Sequence, residues 1–175
     1  MADDERVQVV QAAPMGGRLS HYGQMTLANV EFQKGQAFVV AAMLLLRESK
    51  NESHLYVHMH LIAQGLELII KSALLFNNFG KYSAKKKSGY GHKLLQLCDE
   101  VISVYKLNPI KEPLRQELTF LHEQYMLHSL RYASPLDIFI RPSSIQTGRV
   151  RRRVRAVIYL MNREINRQDD FAMVL

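Results

Sequence analysis

The chain is predicted to be all-α, an up-and-down antiparallel bundle of four to five helices. Three observations carry that expectation. Apolar residues recur at spacings of three and four along several segments, the period of a single helix face. Nine glycines and five prolines among 175 residues leave few interruptions, which favours long elements. At 47% hydrophobic the chain can fill one core, and its length suits one domain better than two.

Residues 1 to 27 hold Gly16, Gly17 and Gly23 among scattered polar residues with no sustained period. They are expected to form a flexible N-terminal arm ahead of a single helical domain spanning 28–175. The first helix is expected from near Asn29, a fair N-cap, with Phe32, Val39, Met43 and Leu46 on its stripe. Gly35 lies inside it and should weaken it unless another backbone approaches closely there. Ser49, Lys50 and Asn51 mark the break.

The second helix is the clearest. Leu55, Met59, Ile62, Leu66, Ile69, Ile70, Ala73 and Leu74 form one broad apolar face without a proline, and Asn77 to Gly80 supplies a C-terminal signal. A basic loop is expected from Gly80 to Gly91, carrying Lys81, Lys85, Lys86 and Lys87 beside Tyr82 and Tyr90. A third helix follows from about His92 to Tyr105 along Leu94, Leu95, Cys98, Val101 and Ile102, with Asn108 and Pro109 ending it. Pro113 suits the first turn of a fourth helix, where its missing N–H costs nothing. Leu114, Leu118, Leu121, Tyr125, His128 and Tyr132 carry that helix on to Ser134 and Pro135. Leu136 to Ile140 is open to a short extended piece. A fifth helix is expected from about Gly148 to Asn166, with Val150, Val154, Val157, Ile158, Met161 and Ile165 on its inner face.

Lysine and arginine number 23 against 16 aspartate and glutamate, a formal charge of +7 that suits an acidic partner. The excess is local. Arg149, Arg151, Arg152, Arg153 and Arg155 fall within seven residues, and the expected loop adds four lysines with no acid in either stretch. Five cations at the start of a helix oppose its dipole, so local helix stability does not account for them. Guanidinium forks match phosphate oxygens, so these arginines, assisted by Lys85, Lys86 and Lys87, are the expected nucleic-acid contact. The competing reading is a solvated basic face, or pairing with glutamates elsewhere in the bundle.

Catalytic patterns are sparse. Arg115 and His122 stand seven residues apart and so project on the same side of a helix. A guanidinium holding a phosphate beside an imidazole moving a proton is the minimum for metal-independent RNA cleavage through the ribose 2′-hydroxyl. His54 and His58 have an i,i+4 spacing that suits metal ligands, but no Glu follows His54 and no third partner is evident, so no metal is expected. No glycine-rich phosphate loop, dinucleotide fingerprint or nucleophile elbow is present, and no cofactor is expected. Cys98 is the only cysteine, which excludes an intramolecular disulfide, and its place on an apolar stripe predicts a protected thiol. The acidic start from Met1 to Arg6 is unlike a secretory leader, and the longest apolar run, residues 37–46, is short for a membrane span. A cytoplasmic protein with no membrane partner is the expectation.

His60 to Leu75, Gly91 to Leu97 and Tyr125 to Tyr132 are three stretches that together resemble the HEPN superfamily (higher eukaryotes and prokaryotes nucleotide-binding domain). His60 to Leu75, with Gln64, Glu67 and Lys71, resembles the family's long helix; Gly91, His92, Leu94 and Leu97 resemble its Gly-His-x-Leu-x-x-Leu opening of the next helix. Tyr125 through Arg131 and Tyr132 resembles the Arg-Tyr that ends a later helix. Together they cover about residues 35–135. The resemblance implies an up-and-down helical bundle, often a homodimer, with roles in RNA or nucleotide handling and sometimes a nucleotidyltransferase partner. Members that cleave RNA resemble one another in an Arg-x4–6-His motif, which Arg115 and His122 fit at the longest spacing.

The same residues have a structural role open to them. Glu67 and Lys71 form an i,i+4 pair in the favourable orientation, Gln64, Glu67 and Arg131 are placed to pair between facing helices, and His92 to pin the end of the basic loop. The function expected is a nucleic-acid- or nucleotide-associated binding and dimerisation module. A HEPN-type ribonuclease using Arg115 and His122, or a purely structural interaction domain, are the alternatives.

Overall fold

The computed structural model describes residues 19–48, 55–88, 92–126 and 148–172. Among them the chain forms six α-helices and no strand: α1 His21–Glu48, α2 Leu55–Asn77, α3 Phe79–Ser88, α4 Leu94–Val104, α5 Glu112–Met126 and α6 Gly148–Ala172. The protein is all-α over this region. Tyr132 and the stretch from Leu136 to Ile140 lie outside the described residues.

α1 begins eight residues ahead of Asn29, inside the segment expected as an arm. Its cap is Ser20, whose Oγ accepts the Gly23 N–H at 3.1 Å, satisfying one of the first-turn donors that have no partner in the helix itself.

α1 and α2 run antiparallel, joined by three contacts spaced seven residues apart on each helix. The Ser72 hydroxyl donates to the Ala28 carbonyl at 2.8 Å, and the His58 Nδ1–H donates to the Ala42 carbonyl at 2.9 Å. Midway between these, the backbones touch at Gly35 and Gly65. A Cβ on Gly35 would lie 2.8 Å from the Gly65 carbonyl oxygen, and one on Gly65 equally close to the Gly35 carbonyl. Seven residues is nearly two helical turns, so small side chains at 28, 35 and 42 keep one seam of α1 close to α2. The close approach that would justify Gly35 within a helix is present.

α2 is the central element and packs against all five other helices. Met59, Ile62, Ile69 and Leu74 are fully buried on it, against Phe32 and Val39 of α1, Leu94 and Leu97 of α4, Leu121 of α5 and Val150 and Val154 of α6. Among the described helices only α2 is long and apolar enough to cross a membrane, and most of that apolar stretch is covered by its neighbours.

The expected basic loop is instead helical from Phe79 to Ser88. Asn78 separates α2 from α3 and starts the new helix, its Oδ1 accepting the Lys81 N–H at 2.9 Å. Alanine and lysine are good helix formers, and the Tyr82 ring, 3% exposed, anchors the helix in the core. α4 ends before Asn108 and Pro109. The Leu107 N–H reaches the Ile102 carbonyl and the Lys106 N–H the Ser103 carbonyl, with Lys106 at φ 51°. That is a Schellman stop, here made without glycine. Pro113 sits in the first turn of α5 as expected, and α6 runs six residues past Asn166.

Candidate nucleic-acid interface

The arginine run opens α6, and the structure divides its five side chains among different tasks. The division starts at Glu117 of α5, which is 7% exposed. Its Oε2 accepts the backbone N–H groups of Arg149 at 2.9 Å and Val150 at 3.2 Å, while its Oε1 takes the Arg149 guanidinium at 2.9 Å. A carboxylate from another helix thus caps α6 and supplies the negative charge its dipole favours. The first cation of the run therefore has a counter-charge on another helix, the glutamate pairing that the sequence left open as the competing reading. Arg149 thus gives one guanidinium nitrogen to that cap.

Arg151 is half-buried, and its Nε is enclosed with no hydrogen-bond partner. It lies near enough to His58 for its charge to disfavour protonation of the imidazole. Arg155 is exposed and directs one guanidinium N–H to the Met43 sulfur at 3.5 Å, a weak contact. Arg152 and Arg153 are exposed and pair with no carboxylate among the described residues. The outward cations of the run are thus Arg152, Arg153 and Arg155. Next to Arg155, Val39, Val40, Met43, Leu44 and Ile158 line a shallow apolar groove between α1 and α6.

One residue on this face is not picked out by sequence pattern. Tyr159 is 69% exposed. It lies off the apolar stripe of Val150 and Val154, and a reading tuned to buried periodicity passes over it.

The lysine feature changes character. Lys81 donates to the Tyr82 hydroxyl at 2.8 Å and to Glu100 at 3.1 Å, and Tyr82 donates to Glu100 at 2.7 Å. The Tyr82 ring is buried and offers no stacking surface. The Lys85, Lys86 and Lys87 side chains lie outside the described residues, although their backbone belongs to α3.

Arg115 and His122 share α5, and no hydrogen bond joins their side chains. The Arg115 guanidinium makes a two-point contact with Asp99 of α4, at 2.9 and 3.1 Å. Seven residues of helix separate it from His122 by about 10 Å along the axis. His122 is half-buried, with its Nδ1 enclosed and unpartnered. Burial lowers its pKa, opposed by the nearby Glu123.

The residues that carry the family resemblance converge at a buried carboxylate. Glu67, 2% exposed, accepts the Lys71 ammonium at 2.5 Å on Oε1. Its Oε2 accepts from His92 Nδ1 at 2.9 Å and from the Tyr125 hydroxyl at 2.8 Å. The Gln64 side chain meets the same hydroxyl at 2.6 Å. Since the hydroxyl has one proton and Glu67 takes it, the Gln64 amide is best oriented to donate. The His92 ring meets the Tyr125 ring edge-on at 5.2 Å. Burial pushes the Glu67 carboxyl up, but the hydrogen bonds from Lys71, His92 and Tyr125 outweigh it and hold the group below its usual range. Arg131 lies outside the described residues.

Cys98 is buried and its thiol is pushed up to about 12, chiefly by burial, so it stays protonated and unreactive. Among the described residues no three His, Cys, Asp or Glu side chains gather where they could hold a metal. His54 lies outside the described residues. No family model, curated protein or solved structure matches this chain.

Proposed function

We propose that the chain is a HEPN-like antiparallel helical bundle acting as a nucleic-acid-binding module, with phosphates held on the outer face of α6. The observation that carries this reading is the exposure of Arg152, Arg153 and Arg155 within four residues, with no carboxylate drawn to them among the described residues. A fold that needed these cations would pair them, as it pairs Arg149 with Glu117. Convergence of Gln64, Glu67, Lys71, His92 and Tyr125 in one network supports the family part of the reading, because the motif residues then share one structural task. Engagement of Arg115 by Asp99 favours a binding module over a ribonuclease. A second copy of the chain belongs to the same reading, and light scattering that finds only monomers overturns that part.

Binding of a labelled, unstructured RNA to the full chain, followed by anisotropy across ionic strength, tests the proposal. Affinity is expected to fall steeply with salt. The folded triple variant Arg152→Ala, Arg153→Ala, Arg155→Ala is expected to bind weakly and to reduce the log–log salt slope by about 2, at roughly 0.7 per phosphate contact on a single strand. Binding that is unchanged in the triple variant overturns the site. RNA cleavage abolished by His122→Ala would overturn the preference for a non-catalytic module.

A further inference from the structure

The outer face of α6 carries more than charge. At about 100° per residue, Tyr159 lies about 20° from Arg152 around the helix and between Arg152 and Arg155, nearly opposite the buried Val150 and Val154. Arg152, Arg155, Tyr159 and Arg163, all exposed, therefore form one stripe. The single non-aromatic, uncharged position within it is Ala156, also exposed, which places only a methyl group three residues before the tyrosine. A tyrosine at 69% exposure contributes little to the core, so packing does not explain its place.

We propose that Tyr159 is a stacking platform for an unpaired base, which makes the ligand of this face single-stranded nucleic acid rather than duplex. The inference rests on the phosphate-binding reading of the α6 arginines and adds to it a specificity-determining residue. The chemistry favours it in two ways. Guanidinium groups on a helix bind the phosphates of any strand, but a π-face at the same level takes a base only where that base is free to leave its own stack. The arginines at 152 and 155 lie one to two turns before the ring, about 6 to 10 Å along the axis, so a strand crossing the stripe can place a base on Tyr159 and its phosphates on the cations. The groove between α1 and α6 lies to the Arg155 side of the stripe, leaving the ring itself uncovered.

Anisotropy titrations of the full chain with a labelled oligouridine, and with a duplex of equal length, test this. Tyr159→Ala is expected to weaken oligouridine binding about tenfold, within the usual range for loss of one base–aromatic stack. Its salt slope should be unchanged and duplex binding unaffected, while Tyr159→Phe retains wild-type affinity. Unchanged oligouridine affinity in Tyr159→Ala, or an equal loss on the duplex, overturns the stacking role. So does a loss that light scattering traces to an altered oligomeric state. In each of these cases the arginine reading stands if the triple arginine variant still loses binding. Absence of any binding by the wild-type chain overturns both.

Discussion

Glu67 on α2 and the arginines on the outer face of α6 are both charged groups on long helices, and the protein treats them in opposite ways. Glu67 is buried with both carboxylate oxygens addressed, by Lys71, His92 and Tyr125. Arg152 and Arg153 point into solvent with no acid drawn towards them among the described residues. Between the two lies Arg149, which belongs to the basic run by sequence and is tied by contact to a second buried carboxylate, Glu117. The comparison separates charges the fold requires from charges it merely carries. Burial is costly unless every polar group is matched, so a matched buried charge is accounted for by the structure. An unmatched exposed cluster has no such account, and an external partner is the simplest source of its value.

The largest effect should come from breaking the matched side. Glu67→Ala leaves Lys71, the His92 Nδ1–H and the Tyr125 hydroxyl without their shared acceptor. Removing one partner of a buried ionic network costs about 3–5 kcal/mol, a large part of the stability of an ordinary domain. Urea denaturation should show that loss. Glu67→Gln keeps the shape and an acceptor oxygen, so it should lose less; equal stability of the alanine variant and wild type would mean the network contributes nothing.

Glu117→Ala should cost less, about 1–2 kcal/mol, the usual penalty for a lost helix cap. Its signature is local. Hydrogen exchange should quicken at the Arg149 and Val150 amides, which lose their acceptor, and stay slow at the α1–α2 seam. This variant also tests which side of the comparison Arg149 belongs to. If Arg149 serves the cap alone, releasing it should leave nucleic-acid affinity unchanged or slightly higher, because it adds a free cation to the face.

Much of the interior is legible in the sequence. The apolar stripe of α2, the inward Val150 and Val154 of α6 and the protected Cys98 follow from period alone. What a linear pattern does not display is pairing over long separations. Glu117 lies 32 residues from Arg149, so in sequence the dipole of α6 looks unanswered. Ser20 as the cap of α1 and Asn78 as the cap of α3 are short-range signals masked by nearby glycines. The small residues Ala28, Gly35 and Ala42 are visible, but their meaning depends on Ser72, Gly65 and His58 meeting them in reverse order. Of the candidate site, the arginines are legible and their division is not. Tyr159 escapes because its face has no apolar period to mark it.

Acid should act on the interior in stages. His58 and His122 are both held below their ordinary value of 6.5, each chiefly by burial. The unfolded chain therefore takes up their protons first. The stability these neutral rings contribute is complete above pH 6.5 and is lost as pH falls through 6.5 towards their folded values. For His58 the slope cannot exceed about 1.4 kcal/mol per pH unit. Glu67, held below its ordinary 4.5, contributes fully above that value and loses its share only at lower pH. Melting temperatures should thus begin to fall just below pH 6.5 and fall again in the acid range. His58→Gln should flatten the first descent, and a profile identical to wild type would remove His58 from the account.

The smallest effect tests the other side of the comparison. Replacing Arg152, Arg153 and Arg155 together by alanine removes three cations from an exposed helix face, at the cost of the weak contact from Arg155 to Met43. Alanine has the higher helix propensity, and surface changes remote from buried networks stay within about 0.5 kcal/mol each. The triple variant should unfold at nearly the same urea concentration as wild type, or slightly higher, since removing like charges also relieves repulsion along the helix. A loss as large as that expected for Glu117→Ala would mean these arginines support the fold, and the distinction between required and carried charge would fail where the functional reading needs it. Unchanged stability with lost RNA binding would instead place their value wholly outside the molecule.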